Sequence, residues 1–200
     1  MTRVIAGAVG GRRLTVPPGQ GTRPTSDRAR EGMFSSWEAQ LGGSGTAAWH
    51  GRRVLDLYGG SGAVGLEALS RGAAHVLLVE SDARAARTIR QNVRALGLPG
   101  AEVRHAKAEA ALAGSPPDDP YDVIFLDPPY AVTDEQVREI LLTLRSGPWL
   151  TDDALVTVER STRGGEFRWP GGFVGLRARR YGEGTLWYGR AAASGDTPTP

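Results

Sequence analysis

The stretch that decides the fold is VLDLYGGSGAVG, residues 54–65. Its first residues form a short apolar run that predicts a buried strand, and its last residues begin a helical pattern. The glycines between them let the backbone turn sharply and approach a ligand closely. A strand that passes through a glycine-rich turn into a helix is typical of an open α/β sheet, where ligands bind beyond the carboxyl ends of the strands.

Strands and helices alternate after this stretch. The predicted strands are 76–79, 102–105, 121–126 and 154–159, and the predicted helices are 63–71, 83–96, 108–112 and 134–145. Such alternation predicts a mostly parallel sheet with helices on both faces. The glycine-punctuated residues 167–188 predict a closing antiparallel hairpin, which gives the sheet seven strands.

The residues before the glycine-rich stretch predict a small extension. Two short strands, 3–7 and 12–16, surround Gly10-Gly11 and predict a β-hairpin. A helix is expected over 27–41, and residues 42–45 are expected to form a flexible connection. We therefore divide the chain into an extension (1–45), an α/β core (46–190) and a disordered tail (191–200).

Composition excludes several classes of protein. The 200 residues include no cysteine, which excludes disulfides, thiolate metal sites and cysteine nucleophiles. The three histidines show no metal-ligand spacing, so no metal is expected. No apolar run approaches the roughly 18–20 residues that span a bilayer, and no signal peptide is evident. We expect a cytoplasmic monomer with no membrane contact.

The net charge of +2 conceals three blocks of opposite sign. Residues 1–53 carry +5, residues 54–159 carry −7, and residues 160–190 carry +5. Basic ends around an acidic middle are typical of a catalytic core flanked by surfaces for a polyanion such as a nucleic acid.

The glycine-rich turn admits two kinds of cofactor. Residues 60–65 match the dinucleotide fingerprint G-x-G-x-x-G, and Glu80 ends the next strand, where it could accept both hydroxyls of a ribose. A nicotinamide-dependent dehydrogenase is therefore one interpretation. Asp56 favours another, because a carboxylate beside a pyrophosphate is repelled, whereas it suits the amine of S-adenosylmethionine.

Asp127-Pro128-Pro129-Tyr130 follows the 121–126 strand directly, so it should lie at the same edge of the sheet. The amino group of a nucleobase is a poor nucleophile because its lone pair is delocalised into the ring. The Asp127 carboxylate and the Pro128 carbonyl could accept the amino hydrogens and redirect that lone pair. Proline fixes φ and removes competing N–H donors, and Tyr130 offers an aromatic face for an extruded base.

Together, these motifs resemble the amino-methyltransferases of the class I Rossmann-like fold. From Arg3 to about Arg190, the chain further resembles the RsmD family, bacterial enzymes that methylate N2 of one guanine in 16S small-subunit ribosomal RNA. The matching stretches are RVIAG at 3–7, GRRL at 11–14, TRPTSDRARE at 22–31 with Phe34, and LDLYGGSGAVGLEALSRGA at 55–73. The sequence departs from the family at Gly59, where alanine or cysteine is usual, and at Lys107, where an acidic or polar residue is frequent.

The resemblance implies roles for individual residues. The residues implied to line S-adenosylmethionine are Asp56, Tyr58, Gly59, Gly60, Ser61, Gly62, Glu80, Ser81 and Ala108. Those implied to hold the guanine amino group are Asp127, Pro128, Pro129 and Tyr130. Those placed near the RNA are Arg3, Arg12, Arg13, Arg23, Thr25 and Arg28. The partner is 16S rRNA, either free or within an assembling or assembled 30S subunit.

Two other functions remain open at this stage. A DNA adenine-N6 or cytosine-N4 methyltransferase would use the same Asp-Pro-Pro-Tyr chemistry, although the chain shows no extra domain for reading duplex sequence. An RNA-binding or assembly protein with a vestigial core would predict a decayed catalytic motif, whereas Asp127 to Tyr130 is intact.

Overall fold

The fold was analysed in a computed structural model that describes residues 2–17, 26–114 and 118–193. The strands are β1 (Thr2–Arg3), β2 (Arg13–Leu14), β3 (Arg53–Leu57), β4 (His75–Glu80), β5 (Ala101–His105), β6 (Tyr121–Leu126), β7 (Leu150–Ser161), β8 (Phe173–Tyr181) and β9 (Gly184–Ala191). The helices are α1 (Asp27–Leu41), α2 (Thr46–Trp49), α3 (Ala63–Arg71), α4 (Ala83–Leu96), α5 (Ala108–Ala113) and α6 (Asp134–Ser146). None of the described helices is long and apolar enough to cross a membrane.

The main sheet has seven strands in the order β5-β4-β3-β6-β7-β9-β8. The first five strands in this order, from β5 to β7, are parallel to one another, whereas β9 pairs antiparallel with both β7 and β8. This confirms the predicted parallel sheet with a closing hairpin. The chain moves outward from β3 to β5 and then returns to β6 on the other side of β3. The strand order therefore reverses between β3 and β6, which is where such sheets bind ligands.

Helix α1 belongs to the core that covers one face of the sheet. Met33, Phe34 and Trp37 are completely buried. The indole N–H of Trp37 donates to the Thr157 hydroxyl at 2.9 Å, and the Trp37 ring meets Phe125 edge to face with centroids 6.3 Å apart. The predicted extension therefore shares its hydrophobic core with strands β6 and β7.

The N-terminal hairpin is shorter than predicted, since only residues 2–3 and 13–14 form strands. The backbone between them is bonded to α3 instead of to a longer ladder. The Glu67 carboxylate accepts the N–H groups of Ile5 and Ala6 at 2.6 and 3.0 Å, and the N–H of Ala8 donates to the Ser70 carbonyl at 2.7 Å. These bonds fasten the hairpin to the helix that follows the glycine-rich turn.

Two other boundaries differ from the prediction. After the expected connection at 42–45, residues 46–49 form the short helix α2, and the Trp49 side chain is completely buried. The expected disordered tail begins too early, because Ala191 ends β9 and the N–H of Ala192 donates to the Gly172 carbonyl at 2.9 Å. The rest of that predicted tail, 194–200, lies outside the described residues.

Candidate active site

A cavity of about 340 Å³ opens at the carboxyl ends of β3, β4 and β6. It lies at the point where the strand order reverses, as the sequence predicts. The predicted site residues that line it are Asp56, Tyr58, Gly59, Gly60, Ser61, Glu80, Ser81, Ala108, Asp127 and Pro129. The structure therefore brings both motifs to one cavity.

The glycine-rich turn forms the floor of the cavity through tight backbone geometry. Tyr58, Gly60 and Gly62 all have φ between 58° and 79°, a region that disfavours side chains with a Cβ. The N–H of Gly62 donates to the Gly59 carbonyl at 2.7 Å, which closes the turn. A Cβ at Gly59 would lie 3.1 Å from the Cδ1 methyl of Ile89. The turn thus exposes backbone, rather than side chains, to a ligand.

Asp56 is the penultimate residue of β3, and its carboxyl group is buried, with only 1% of the residue exposed. Its Oδ2 accepts the N–H of Gly65, near the start of α3, at 3.0 Å. Burial raises the pKa of Asp56 to about 8; the Gly65 N–H opposes that rise, and the charge of Glu80 adds to it. A buried carboxylate with this pKa gains from a cationic partner, so it suits an ammonium group.

Glu80 is held at the end of β4 by two backbone donors. Its Oε2 accepts the N–H of Gly60 at 2.9 Å, and its Oε1 accepts the N–H of Asp82 at 2.7 Å. Each carboxylate oxygen has a second lone pair, so the cavity-lining carboxylate can still accept hydroxyl donors. This is the geometry that recognition of a ribose diol requires.

The opposite wall carries an aromatic ring and the start of α5. Ala108 is buried against the second hydrophobic core, and Lys107 and Glu109 beside it also line the cavity. Tyr58 has a buried hydroxyl without a partner among the described residues. Burial, with a contribution from Glu109, raises the pKa of Tyr58 to about 12, so it remains neutral at physiological pH.

Asp127 follows β6 and faces the cavity from the side opposite Glu80. Among the described residues, its carboxylate accepts no hydrogen bond, whereas its backbone N–H contacts the Leu57 carbonyl at 3.5 Å. Burial raises its pKa well above the usual range; the charges of Glu159 and Asp56 add to the rise, and Arg160 opposes it. The site therefore holds a carboxylate with raised proton affinity and free acceptor positions.

The rest of the tetrapeptide surrounds this carboxylate. Pro128 is buried, Pro129 lines the cavity, and Tyr130 is 67% exposed at its edge. Pro128, Tyr130 and Gly62 do not line the cavity themselves. An exposed aromatic ring at the edge of a cavity is a suitable platform for a flat ligand, so the predicted role of Tyr130 stays a prediction that the geometry allows.

Four of the predicted RNA contacts are described, and none of these four lines the cavity. Arg3 pairs with Asp27 at 3.3 Å, and Arg12 donates to the Ala95 carbonyl at 2.7 Å. Arg13 and Arg28 are exposed. Arg23 and Thr25 fall outside the described residues. RNA binding by these six residues stays a prediction.

Arg30 is a cavity residue that the sequence analysis missed. It is completely buried, and its guanidinium donates to the carbonyl of Arg3 and to Asp27, both at 2.7 Å. A signal was available, because Arg30, Met33, Phe34 and Trp37 follow the helical spacing of a buried face. An arginine on such a face needs internal partners, and here it joins the extension to the cavity wall.

No group of three or more His, Asp or Glu residues that could hold a metal occurs in the part of the chain that the structure describes.

Comparison with known proteins identifies the family of this chain. The family model described as conserved hypothetical protein 95 matches residues 2–190. The chain is 36% identical over 163 residues to ribosomal RNA small subunit methyltransferase D of Escherichia coli K12, which covers 82% of this chain and 76% of that protein. The chain belongs to the methyltransferase D family.

Other members of the methyltransferase D family support the assignment. The protein of the same name from Haemophilus influenzae is 33% identical over 159 residues, covering 78% of this chain and 77% of that protein. The solved structure of Escherichia coli yhhF superposes with a TM-score of 0.81 at 31% identity, covering 96% of this chain and 99% of that one. These matches confirm the predicted family and the class I Rossmann-like fold.

The chain is an S-adenosylmethionine-dependent methyltransferase, and its cavity fits that cofactor. Glu80, Asp56 and Ala108 all line this cavity, and their predicted contacts with the ribose, the ammonium group and the adenine stay predictions. The dehydrogenase interpretation is wrong, since the family consists of methyltransferases and the buried Asp56 carboxylate stands where a pyrophosphate would be repelled.

Proposed function

We propose that this chain methylates the exocyclic N2 amino group of a guanine in 16S ribosomal RNA. The observation that carries the proposal is the Asp127 carboxylate, which faces the cofactor cavity without a hydrogen-bond partner among the described residues. The names of the relatives, which are ribosomal RNA small subunit methyltransferases, support the choice of substrate. Action on ribosomal RNA would place the enzyme in the cytoplasm.

The chemistry follows from what the residues can do around an amino group. Bound S-adenosylmethionine supplies an electrophilic methyl group. Asp127 accepts an amino hydrogen of the base and holds the nitrogen towards the cavity, while the Pro128 carbonyl is the second acceptor of the proposal. When the nitrogen gains its methyl group it must lose a proton, and Asp127 takes it. Its raised pKa makes that carboxylate a better base than a solvated one.

Tyr130 supports the delivery of an extruded base. Its ring is exposed and follows Asp127 by three residues in the chain, and base–aromatic stacking is worth roughly 1–3 kcal/mol. Pro128 and Pro129 fix the backbone between the two side chains.

The test is methyl transfer from labelled S-adenosylmethionine to three substrates: protein-free 16S rRNA, 30S subunits and duplex DNA. The RNA and the subunits come from a strain that lacks the gene. We expect N2-methylguanine by mass spectrometry of the digested RNA at a single mapped position. The comparison of free RNA with 30S subunits identifies the physiological form. Transfer to DNA alone would overturn the proposal in favour of a DNA amino-methyltransferase.

A further inference from the structure

Helix α4 has an exposed face whose charged residues are all arginines. It carries Arg84, Arg87, Arg90 and Arg94, and its fourteen residues include no acid. All four are exposed. At about 100° per residue, the four side chains fall within an arc of roughly 120°. We refer to these four residues as the α4 arginine face.

None of these four guanidinium groups has an ion pair or hydrogen bond with any other described residue. Three partly buried arginines on other elements do have ion pairs: Arg104 with Glu102 at 2.8 Å, Arg138 with Glu135 at 3.0 Å and Arg190 with Asp153 at 3.1 Å. The exposed Arg179 and Arg180 of β8 have none among the described residues, but only α4 places four such arginines on one helix face of the described chain. Like charges three or four residues apart destabilise a helix by a few tenths of a kcal/mol per pair. The α4 arginine face therefore costs the fold some stability and receives no compensation within the described chain.

The surrounding charge makes this face distinctive. Residues 54–159 carry a net charge of −7, although they include these four arginines. The rest of that block is therefore strongly acidic and repels a polyanion. A basic helix face within this acidic stretch of the chain attracts a polyanion and helps to fix its orientation.

The position of α4 connects this face with the cavity. Ser81, which lines the cavity, lies immediately before the N-cap residue Asp82. Further along, the Asn92 side chain accepts the N–H of Thr15 and donates to the Thr15 carbonyl, both at 2.9 Å. Val16, the residue after Thr15, lines the cavity. Arg12 reaches the Ala95 carbonyl at the carboxyl end of the helix. Arg84 follows Ser81 by three residues, so the face begins near the cavity and runs along α4 for about 15 Å, since ten residues rise about 1.5 Å each. It lies on the side of the helix opposite the buried Asn92.

We infer that the α4 arginine face binds the sugar-phosphate backbone of the RNA that carries the target guanine, with Arg12 and Arg13 extending the contact. This inference rests on the proposed function and names a surface of the enzyme for that substrate. Arginine is suited to the contact because its planar guanidinium bonds phosphate oxygens with two parallel donors. Contacts of this kind position an RNA without reading its sequence.

The test compares two triple variants that lose the same charge. One is Arg87→Gln, Arg90→Gln and Arg94→Gln; its control is Arg104→Gln, Arg138→Gln and Arg190→Gln, which removes three paired arginines from other elements. Equilibrium binding to 16S rRNA is measured with S-adenosylhomocysteine present, over a series of salt concentrations. We expect the α4 triple variant to bind RNA about tenfold more weakly or worse. The slope of the logarithm of the RNA association constant against the logarithm of the salt concentration should become shallower by about 2. The control should stay within about twofold of the unchanged protein.

Calorimetry with S-adenosylhomocysteine shows whether each variant retains its cofactor site. If the α4 triple variant no longer binds S-adenosylhomocysteine, the single variant Arg90→Gln is used to test the inference instead. Its RNA affinity is expected to fall about threefold. Equal losses in the α4 triple and its control would overturn the inference, as would unchanged RNA binding by the α4 variants. Failure of the proposed function looks different, because the unchanged protein would then bind RNA through α4 without methylating it.

Discussion

The two halves of the active site hold their carboxylates in opposite ways. In the half formed by β3, α3 and β4, Asp56 and Glu80 each accept backbone N–H groups that fix their orientation. In the half formed by β6 and the tetrapeptide, Asp127 accepts no hydrogen bond from a described residue, and Tyr130 is exposed. The first half is organised before the cofactor arrives. The second leaves its acceptor positions for the substrate, as a site that must act on a reacting amino group requires.

The largest effect expected from this contrast is the loss of methyl-transfer rate in the variant Asp127→Asn. Because the amide cannot take the amino proton, we expect the rate of transfer at saturating RNA and cofactor to fall about 10²–10⁴-fold. The affinity for S-adenosylhomocysteine, which depends on the other half, should change less than about threefold. Single-turnover transfer and calorimetry measure the two quantities. Asp118→Asn, at an exposed position, is the matched control. Retained turnover in Asp127→Asn would show that the free carboxylate has another role.

Asp56→Asn should affect the other half. Loss of the charge that faces the ammonium group is expected to weaken binding of S-adenosylhomocysteine about tenfold to a hundredfold. In the unchanged protein, this affinity should increase as the pH rises from 6 to 8, because Asp56, with a pKa of about 8, ionises over that range. Calorimetry across that pH range measures both effects. A pH dependence of the same size in Asp56→Asn would exclude Asp56 as its source.

The same variant makes a prediction about stability. The folded-state pKa of Asp56 is raised to about 8 from the ordinary value of 3.8, so the folded chain binds more protons than the unfolded chain between these values. Its contribution to stability is therefore lost as the pH rises from about 4 to about 8. At pH 8.5 without cofactor, the free energy of unfolding of Asp56→Asn should exceed that of the unchanged protein by an amount on the order of a few kcal/mol. Urea denaturation at pH 5 and 8.5 checks the sign.

A smaller effect is expected at Tyr130. Removing the ring in Tyr130→Ala should raise the KM for RNA about tenfold, which corresponds to the roughly 1–3 kcal/mol of one base stacked on an aromatic ring. Tyr130→Phe keeps the ring and should bind RNA like the unchanged protein. Steady-state kinetics at saturating cofactor distinguish the two variants. Equal defects in both would assign the effect to the hydroxyl and contradict the stacking role.

The smallest effects are expected on stability, from alanine substitutions at Gly59 in the glycine-rich turn and Gly65 in α3. A Cβ at Gly65 would lie 2.7 Å from the Val76 Cγ1 methyl and 2.8 Å from the Leu78 Cδ2 methyl, both in a buried strand. We expect Gly65→Ala to destabilise the fold by about 1–3 kcal/mol through overpacking. At Gly59 the nearest atom is the terminal Ile89 methyl at 3.1 Å, so Gly59→Ala should be nearly neutral in both stability and cofactor affinity. Thermal unfolding of the two variants measures the difference.

The sequence predicted the parts of the molecule that local patterns determine. Helices α1, α3 and α4 have the predicted bounds, because Ser26 and Asp82 cap two of them and Gly42, Gly72 and Gly97 end all three. The strand before Asp127 was also predicted correctly, since an apolar run bounded by polar residues admits few alternatives. Both motifs were therefore placed at the correct edge of the sheet.

The features that were missed depend on contacts between distant residues. The short strands of the N-terminal hairpin follow from Glu67, which is more than 60 residues away in sequence. The burial of Arg30 follows from the way that α1 packs against α3. The α4 arginine face was hidden because the charge of residues 54–159 was summed as one block, whereas the charge of a helix face depends on its periodicity.

The place of β9 in the sheet sets the order in which the protein can be completed. This strand is the last of the described strands, yet it lies between β7 and β8 and pairs with both. A nascent chain that has not reached Gly184 lacks the strand through which β8 attaches to the rest of the sheet. Helix α1, the first helix of the described chain, shares one hydrophobic core with Leu186 and Tyr188 of that same strand. The amino-terminal helix therefore reaches its final packing only after nearly the whole chain has left the ribosome, and topologies of such high contact order fold slowly.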